Sequence, residues 1–234
     1  MYRYLISGST DPHFNLATEE ALVHQCPMNC CILFIWQNER TIVIGRNQDA
    51  YIECRVDAFV DSGGKIARRR SGGGAVYHDL GNLNFSLICR ESLLFSHSSE
   101  ALVGGTLERF GIHAASNGRN DLLVNGQKVS GNASYTENGV LCRHATLMVS
   151  VDIDAMTQYL TPQAEKLNRN HVNSVYSRVL NLNSVQPRIT VPDIIQAMVD
   201  VSGGIQFTDA PDLASVQKLR QFYDSPTWIF GGKR

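Results

Sequence analysis

Lys65–Ile88 reads KIARRRSGGGAVYHDLGNLNFSLI: a basic run, three consecutive glycines, then a second run of strand-forming residues. Strand alternation puts Arg68 and Arg70 on one face and Arg69 on the other. The three guanidinium forks suit phosphate or carboxylate. Gly72, Gly73 and Gly74 let backbone N–H groups come close to a ligand with no side chain in the way. A solvated basic hairpin would look the same in isolation. What separates the two readings is the rest of the chain.

The 234 residues suit one large domain or at most two small ones, and no repeat, low-complexity tract or long linker divides them, so one domain over residues 1–234 is expected. With 43% hydrophobic and 18% charged residues the composition is that of a folded, soluble protein. A formal net charge of -1 supplies no global field for a nucleic-acid backbone. The basic cluster is therefore expected to act locally on a small anion, with no nucleic-acid partner. No stretch approaches the roughly 20 apolar residues of a membrane span. The N-terminus, MYRYLISGSTDPHFNLATEE, lacks the apolar run of a secretory signal, and a cytoplasmic protein without a membrane partner is expected. Cys26, Cys30, Cys31, Cys54, Cys89 and Cys142 lack paired C-x-x-C spacing, which predicts buried, reduced thiols with neither a zinc site nor a disulfide framework.

Tyr2–Ser7 reads as an opening strand, and Thr10, Asp11 and Pro12 start a helix through Phe14 to Gln25. Its adjacent Glu19 and Glu20 do not face each other, which predicts a solvated face without chemistry. Ile32–Trp36 and Thr41–Ile44 read as a hairpin, ending in Gly45-Arg46-Asn47-Gln48, either a plain loop or a pocket wall. Asp57–Ser62 reads as a short helix stopped by Gly63 and Gly64. Downstream of the glycines, Leu83–Cys89 alternates like a strand and Ser98–Phe110 has helical spacing.

Leu122–Val124, the Asn125-Gly126 turn and Gln127–Val129 form a predicted hairpin. Ser130-Gly131-Asn132-Ala133 then interrupts the strand pattern, as though something approaches the backbone closely, and Lys128 sits just before it. A second Asn-Gly turn, at Asn138 and Gly139, feeds the strand Val140–Val151, with Cys142 and His144 on one face and Arg143 on the other. The pair is either a nucleophile with its base or a packed thiol beside a hydrogen-bonded imidazole. Asp154–Leu160 and Pro162–Leu167 read as helices and Asn168–Ser174 as a loop. Thr190 and Asp193 form a capping arrangement for a helix ending at Gly203-Gly204, and Pro211 opens another through Asp224.

Five stretches in order carry a resemblance. They are Arg69-Arg70-Ser71-Gly72-Gly73-Gly74-Ala75-Val76-Tyr77-His78-Asp79-Leu80-Gly81-Asn82, Gly118-Arg119-Asn120-Asp121-Leu122, Lys128-Val129-Ser130-Gly131, His144-Ala145-Thr146-Leu147, and Ser177-Arg178-Val179 with Asn181-Leu182. With them the chain resembles the lipoate-protein ligase A family, within the biotin/lipoate ligase superfamily. The resemblance implies an α+β catalytic domain, with a central mixed β-sheet flanked by helices. It also implies activation of lipoate by ATP and Mg2+ to lipoyl-AMP. Transfer then goes to a lysine of an apo lipoyl domain, in an E2 subunit of a 2-oxoacid dehydrogenase or in the glycine-cleavage H protein.

Carried over by motif position, Arg69, Gly74, Ala75, Val76 and Tyr77 would meet ATP. Lys128 would touch both the α-phosphate and the lipoyl carboxylate, and would be the catalytic cation. Arg70, His78 and His144 would join Lys128 in binding lipoate, and Asp121 would be the magnesium ligand. Many members continue into a small C-terminal accessory domain, while this sequence ends at Arg234, so a catalytic domain without that accessory domain is expected: one served by a separate accessory protein, a natural short form, or one that uses preformed lipoyl-AMP. The other mechanism on the same fold is an ATP-independent octanoyl or lipoyl transferase working through a cysteine thioester.

Overall fold

The computed structural model describes residues 2–90, 98–116, 118, 120–161 and 179–231. Pro162–Leu167, Asn168–Ser174, Arg119, Ser177 and Arg178 lie outside the described residues. Two sheets form the centre of the molecule. The larger has eight strands in the order β11-β1-β2-β6-β10-β9-β8-β7, comprising β1 (Tyr2–Ile6), β2 (Cys31–Trp36), β6 (Asn82–Arg90), β7 (Ala115–Ser116), β8 (Asp121–Val124), β9 (Gln127–Glu137), β10 (Val140–Met148) and β11 (Ile205–Gln206). The smaller has the order β4-β3-β5, from β3 (Thr41–Ile44), β4 (Lys65–Arg68) and β5 (Val76–His78). β1 runs parallel to β2 and β11, while β2, β6, β10, β9, β8 and β7 pair antiparallel in turn, so the sheet is mixed.

Parallel neighbours need a crossover, and α1 (Pro12–His24) supplies it between β1 and β2. Asp11 caps α1, accepting from the N–H groups of His13 and Phe14, with Pro12 in the first turn. Around the sheets lie α2 (Ala50–Glu53), α3 (Val56–Asp61), α4 (Ser99–Glu108), α5 (Ile153–Tyr159), α6 (Leu182–Val185), α7 (Val191–Ser202), α8 (Leu213–Tyr223) and α9 (Pro226–Phe230). The Thr190/Asp193 capping box opens α7 and Gly203, at φ 56°, closes it, while Asp212 rather than Pro211 caps α8.

Alternation along the large sheet separates two cores. Leu33, Ile35, Leu83, Phe85 and Leu87 face one side with Leu102, Ile194 and Met198 of α4 and α7. Ile32, Phe34 and Trp36 face the other with Leu16 and Leu22 of α1 and Tyr223 of α8. A third cluster joins the small sheet to α3, α5 and α9. Both Asn-Gly turns take positive φ at each central residue, 51° and 76° at Asn125 and Gly126, 51° and 73° at Asn138 and Gly139, as a type I′ hairpin requires.

The structure overturns one expected pairing. Ile32–Trp36 and Thr41–Ile44 do not form a hairpin: β2 pairs with β1 and β6, and β3 pairs with β4 and β5 in the other sheet. Every residue of both strands is buried, so each has a neighbour on either side, and a turn through Arg40 at φ 34° sends the chain from one sheet to the next. Nor does Ser130–Ala133 break the strand, for β9 runs from Gln127 to Glu137. What approaches Gly131 is the Lys128 side chain, whose Nζ lies 2.8 Å from where a Cβ would stand.

Candidate active site

A cavity of about 1060 Å³ opens where the small sheet, α1 and α5 meet the large sheet. Its wall includes Leu16, Trp36, Val43, Arg69, Gly73, Gly74, Ala75, Val76, Tyr77, His78, Asn82, Asn84, Asp121, Lys128, Gly131, His144 and Met148. Of the residues that the resemblance assigns to ATP, lipoate or magnesium, all but Arg70 stand on this wall.

The three arginines do three different things. Arg68 is buried and spends its guanidinium on main-chain carbonyls: Nε on Trp228 and Ile229, Nη1 on Gly45, Arg46 and Gln48, Nη2 on Ile229 at 2.7 Å. Its donors are spent on the main chain. Arg70 donates from Nε to Glu20 at 2.8 Å and from Nη2 to the other Glu20 oxygen, and its charge lies 5.9 Å from the Phe222 ring. These bonds to Glu20 hold the Arg70 guanidinium above its ordinary value.

Arg69 alone of the three enters the cavity wall. It braces the glycine turn from within, donating to Ser71 Oγ at 3.0 Å, the Val43 carbonyl at 3.1 Å, and the Gly72 and Gly74 carbonyls at 2.7 Å each. Burial pulls it down to about 10, opposed by the Glu19 charge. The turn sits hard on the end of β3: a Cβ at Gly45 would lie 2.2 Å from the Gly73 carbonyl oxygen. Gly73 has φ 93°, and a Cβ there would meet Arg69 Nη2 at 2.8 Å. At Gly74 a Cβ would meet nothing within 4 Å, so this residue faces open space.

Lys128 Nζ pairs with Asp121 Oδ1 at 2.7 Å, both side chains about one-third exposed. The β8–β9 hairpin brings them together, with a register shift between Leu122 and Leu123, and the Lys128 carbonyl is held by the Leu180 N–H at 2.8 Å. A compact ammonium beside a carboxylate on an open wall can exchange that carboxylate for a ligand anion.

Glu19 and Glu20 are not on a solvated face; each is 2% exposed. α1 is packed between the large sheet and α8, and the two carboxylates, pointing apart as adjacent helical residues must, reach separate partners. Glu20 takes Arg70 and the Tyr223 hydroxyl. Glu19 accepts from Ser86 Oγ at 2.5 Å and meets His144 Nδ1 at 3.1 Å, while His144 Nε2 lies 2.6 Å from Ser71 Oγ. Burial alone would raise the Glu19 carboxyl, but His144, Ser86 and Cys142 together hold it below its ordinary value.

Cys142 is fully buried and its thiol is pushed well up by burial and by Glu19. It is not part of the cavity wall, and all six cysteines are buried free thiols. Glu19, Cys142 and His144 place ligating atoms within 4.8 Å of one another, yet the internal bonds of Glu19 and His144 already occupy that space. His78 is held neutral, pulled down to about 3 by burial first and then by Arg69 and His144. Its Nδ1 meets Asn38 Nδ2 at 3.2 Å and its Nε2 has no partner among the described residues.

Trp36 and Asn84 line the cavity and Ser86, Glu19 and Ser71 support it from behind, and reading the sequence assigned none of the five to a site. One signal was present in Asn82-Leu83-Asn84-Phe85-Ser86-Leu87, where polar residues alternate with apolar ones. That pattern is ordinarily a strand with a wet face. Here Asn82, Asn84 and Ser86 are all buried, so the polar face lines or supports a site.

The lipoyl protein ligase A/B catalytic domain family matches residues 11–202. The chain is 40% identical over 203 residues to lipoate-protein ligase A of Blochmanniella pennsylvanica, covering 85% of this chain and 60% of the relative's own length. Among solved structures, LipL1 of P. falciparum in complex with lipoate superposes with a TM-score of 0.85 at 27% identity, covering 100% of this chain and 75% of that one. A bi-partite lipoate protein ligase of Thermoplasma acidophilum, described with its E2 lipoyl domain, gives a TM-score of 0.82 at 25% identity, covering 100% of this chain and 96% of that one. Among the described residues no helix is long and apolar enough to cross a membrane. With the match running from the cap of α1 to the end of α7 and so taking in the glycine turn, Lys128 and His144, the chain belongs to the lipoyl protein ligase A/B catalytic domain family.

Proposed function

We propose that the chain carries the catalytic site of a lipoate-protein ligase, which activates lipoate with ATP to lipoyl-AMP and passes the acyl group to a lysine of an apo lipoyl domain. The observation that carries this reading is the joining, in one cavity, of a glycine turn braced by Arg69, the cation Lys128, and a wall built partly from Leu16, Trp36 and Val43. The turn and cations suit a triphosphate, and the apolar wall suits an acyl chain.

Activation joins two anions, so the chain must suppress their repulsion. A lipoate carboxylate oxygen attacks the α-phosphorus, the bond to the bridging oxygen breaks, and pyrophosphate leaves. Lys128, released from Asp121, stabilises the carboxylate and α-phosphate together. The open N–H groups around Gly74 take phosphate oxygens, and Arg69 keeps the turn in shape. Magnesium is held by one or two carboxylates together with substrate phosphates. Asp121 beside the amides of Asn120 and Asn132 fits that need, and the bound ion would neutralise phosphate charge. In the second half the acceptor lysine amine attacks the acyl carbonyl, the carbon–oxygen bond to AMP breaks, and the amine loses a proton. No enzyme nucleophile is required, and the burial of Cys142 away from the wall favours this route over a cysteine thioester.

The T. acidophilum relative, described as bi-partite, supports including an accessory protein as a variable in the test. Incubation with ATP, Mg2+, lipoate and an apo lipoyl domain, read by intact mass, should give the lipoylated domain. Supplying lipoyl-AMP directly separates transfer from activation. A chain inactive with lipoyl-AMP and apo acceptor would overturn the reading.

A further inference from the structure

Three residues of the cavity wall, Trp36, His144 and Arg69, are each held by a residue that does not reach it: Ser86, Glu19 and Ser71. Together they form one unbroken chain. Trp36 Nε1 donates to Ser86 Oγ at 3.1 Å, and Ser86 Oγ donates to Glu19 at 2.5 Å. From the other end, Arg69 Nε donates to Ser71 Oγ at 3.0 Å, Ser71 Oγ lies 2.6 Å from His144 Nε2, and His144 Nδ1 lies 3.1 Å from Glu19.

The proton arrangement of this chain is determined by its ends. An indole N–H and a guanidinium N–H can only donate, and an ionised carboxylate can only accept. Ser86 Oγ therefore accepts from Trp36 and donates to Glu19, and Glu19 also accepts from His144 Nδ1, while Ser71 Oγ accepts from Arg69 and faces both His144 Nε2 and, at 3.4 Å, the Gly72 carbonyl. The ionised carboxylate thus fixes a proton on His144 Nδ1.

We infer that Glu19 is a positioning residue for both halves of the cavity: its carboxylate fixes the Nδ1 proton and the ring of His144, which meets Ser71 beside the Arg69 turn, while through Ser86 it orients Trp36. This rests on the ligase reading for what the halves bind, the Trp36 side taking the acyl chain and the Arg69 side the nucleotide. The arrangement itself does not depend on that reading. An amide at position 19 fails in a specific way. Its oxygen still accepts, but its NH2 group meets either Ser86 or His144 as a second donor, so one link must reverse or break.

The test uses Glu19→Gln in the full chain with 15N-labelled histidine. NMR should show His144 protonated on Nδ1 in the parent protein, assigned by loss of the signal in His144→Gln, and protonated wholly or partly on Nε2 in Glu19→Gln. Calorimetry with ATP and, separately, with lipoate should show nucleotide affinity reduced about tenfold, an ordinary size for coupling between linked sites. Parent-like tautomer in Glu19→Gln, or unchanged affinity for both probes, overturns the inference. If Glu19→Gln does not fold, Ser71→Ala tests the same chain: it should keep the Nδ1 proton on His144 yet weaken ATP binding, and unchanged ATP affinity there overturns it. A parent protein that binds neither probe overturns the ligase reading, and the tautomer readout then judges the chain alone.

Discussion

At the scale of single residues, charge placement rather than charge count decides function. Lys128 stands about one-third exposed on its wall, paired with Asp121, so Lys128→Ala removes a cation and no core volume. Acyl transfer should fall about 10²–10³-fold, the usual cost of losing a group that stabilises transition-state charge, with the melting temperature nearly unchanged. Cys142→Ser should keep most of the activity with lipoyl-AMP and apo acceptor. A dead serine variant, beside a parent that accumulates a covalent acyl adduct by intact mass, would restore the thioester route. His78 gives a pH signature. Its folded pKa of about 3 lies below the usual 6.5, so between those values the unfolded chain binds the extra proton. The stability it contributes is complete above pH 6.5 and is lost as pH falls towards 3, by up to about 1.4 kcal/mol per pH unit. Denaturant titrations from pH 7 to 4 should show that slope, and His78→Gln should flatten it.

At the scale of elements, the glycine turn offers a paired test. Gly74 faces open space and Gly45 faces the Gly73 carbonyl oxygen at 2.2 Å. Gly74→Val should therefore leave stability intact while cutting nucleotide affinity, and Gly45→Ala should lower both, because the turn must lift off β3. Calorimetry with ATP beside thermal melts distinguishes the two, and a Gly74→Val variant with normal ATP affinity would reduce the turn to a structural feature. The turn was legible in the sequence because three successive glycines after a basic strand have few physical explanations. The Asn-Gly hairpins and the Thr190 cap were legible because their chemistry is local. The β2–β3 pairing was misread because two short apolar runs carry no mark of which sheet they join. Glu19 was misread because a carboxylate's partners lie 67 and 125 residues away, on β6 and β10.

At the scale of the whole molecule, Arg68 ties distant parts of the chain together. It fastens the carbonyls of Trp228 and Ile229, at the end of α9, to those of Gly45, Arg46 and Gln48 beside the cavity, and Trp228 Nε1 returns a bond to the Arg68 carbonyl at 2.9 Å. Arg68→Met leaves these buried carbonyls without donors and should cost about 3 kcal/mol or more, measured by denaturant unfolding. The fold class was expected from resemblance and the mixed sheet agrees with it. This fastening was not foreseeable, since an arginine beside Arg69 and Arg70 reads as one more anion binder until its carbonyl partners are seen.

The chain has two tryptophans, and they sit at the two ends of what has been described. Trp36 is in the cavity wall with its indole on Ser86, and Trp228 is fastened to Arg68 with its ring 4.6 Å from Phe222. Intrinsic fluorescence is thus a built-in pair of reporters. Replacing Trp228 with Phe leaves emission that follows ligand entry at Trp36, and the parent spectrum minus that of the variant follows the attachment of α9, so the order in which the two respond can be timed on a stopped-flow instrument without any label.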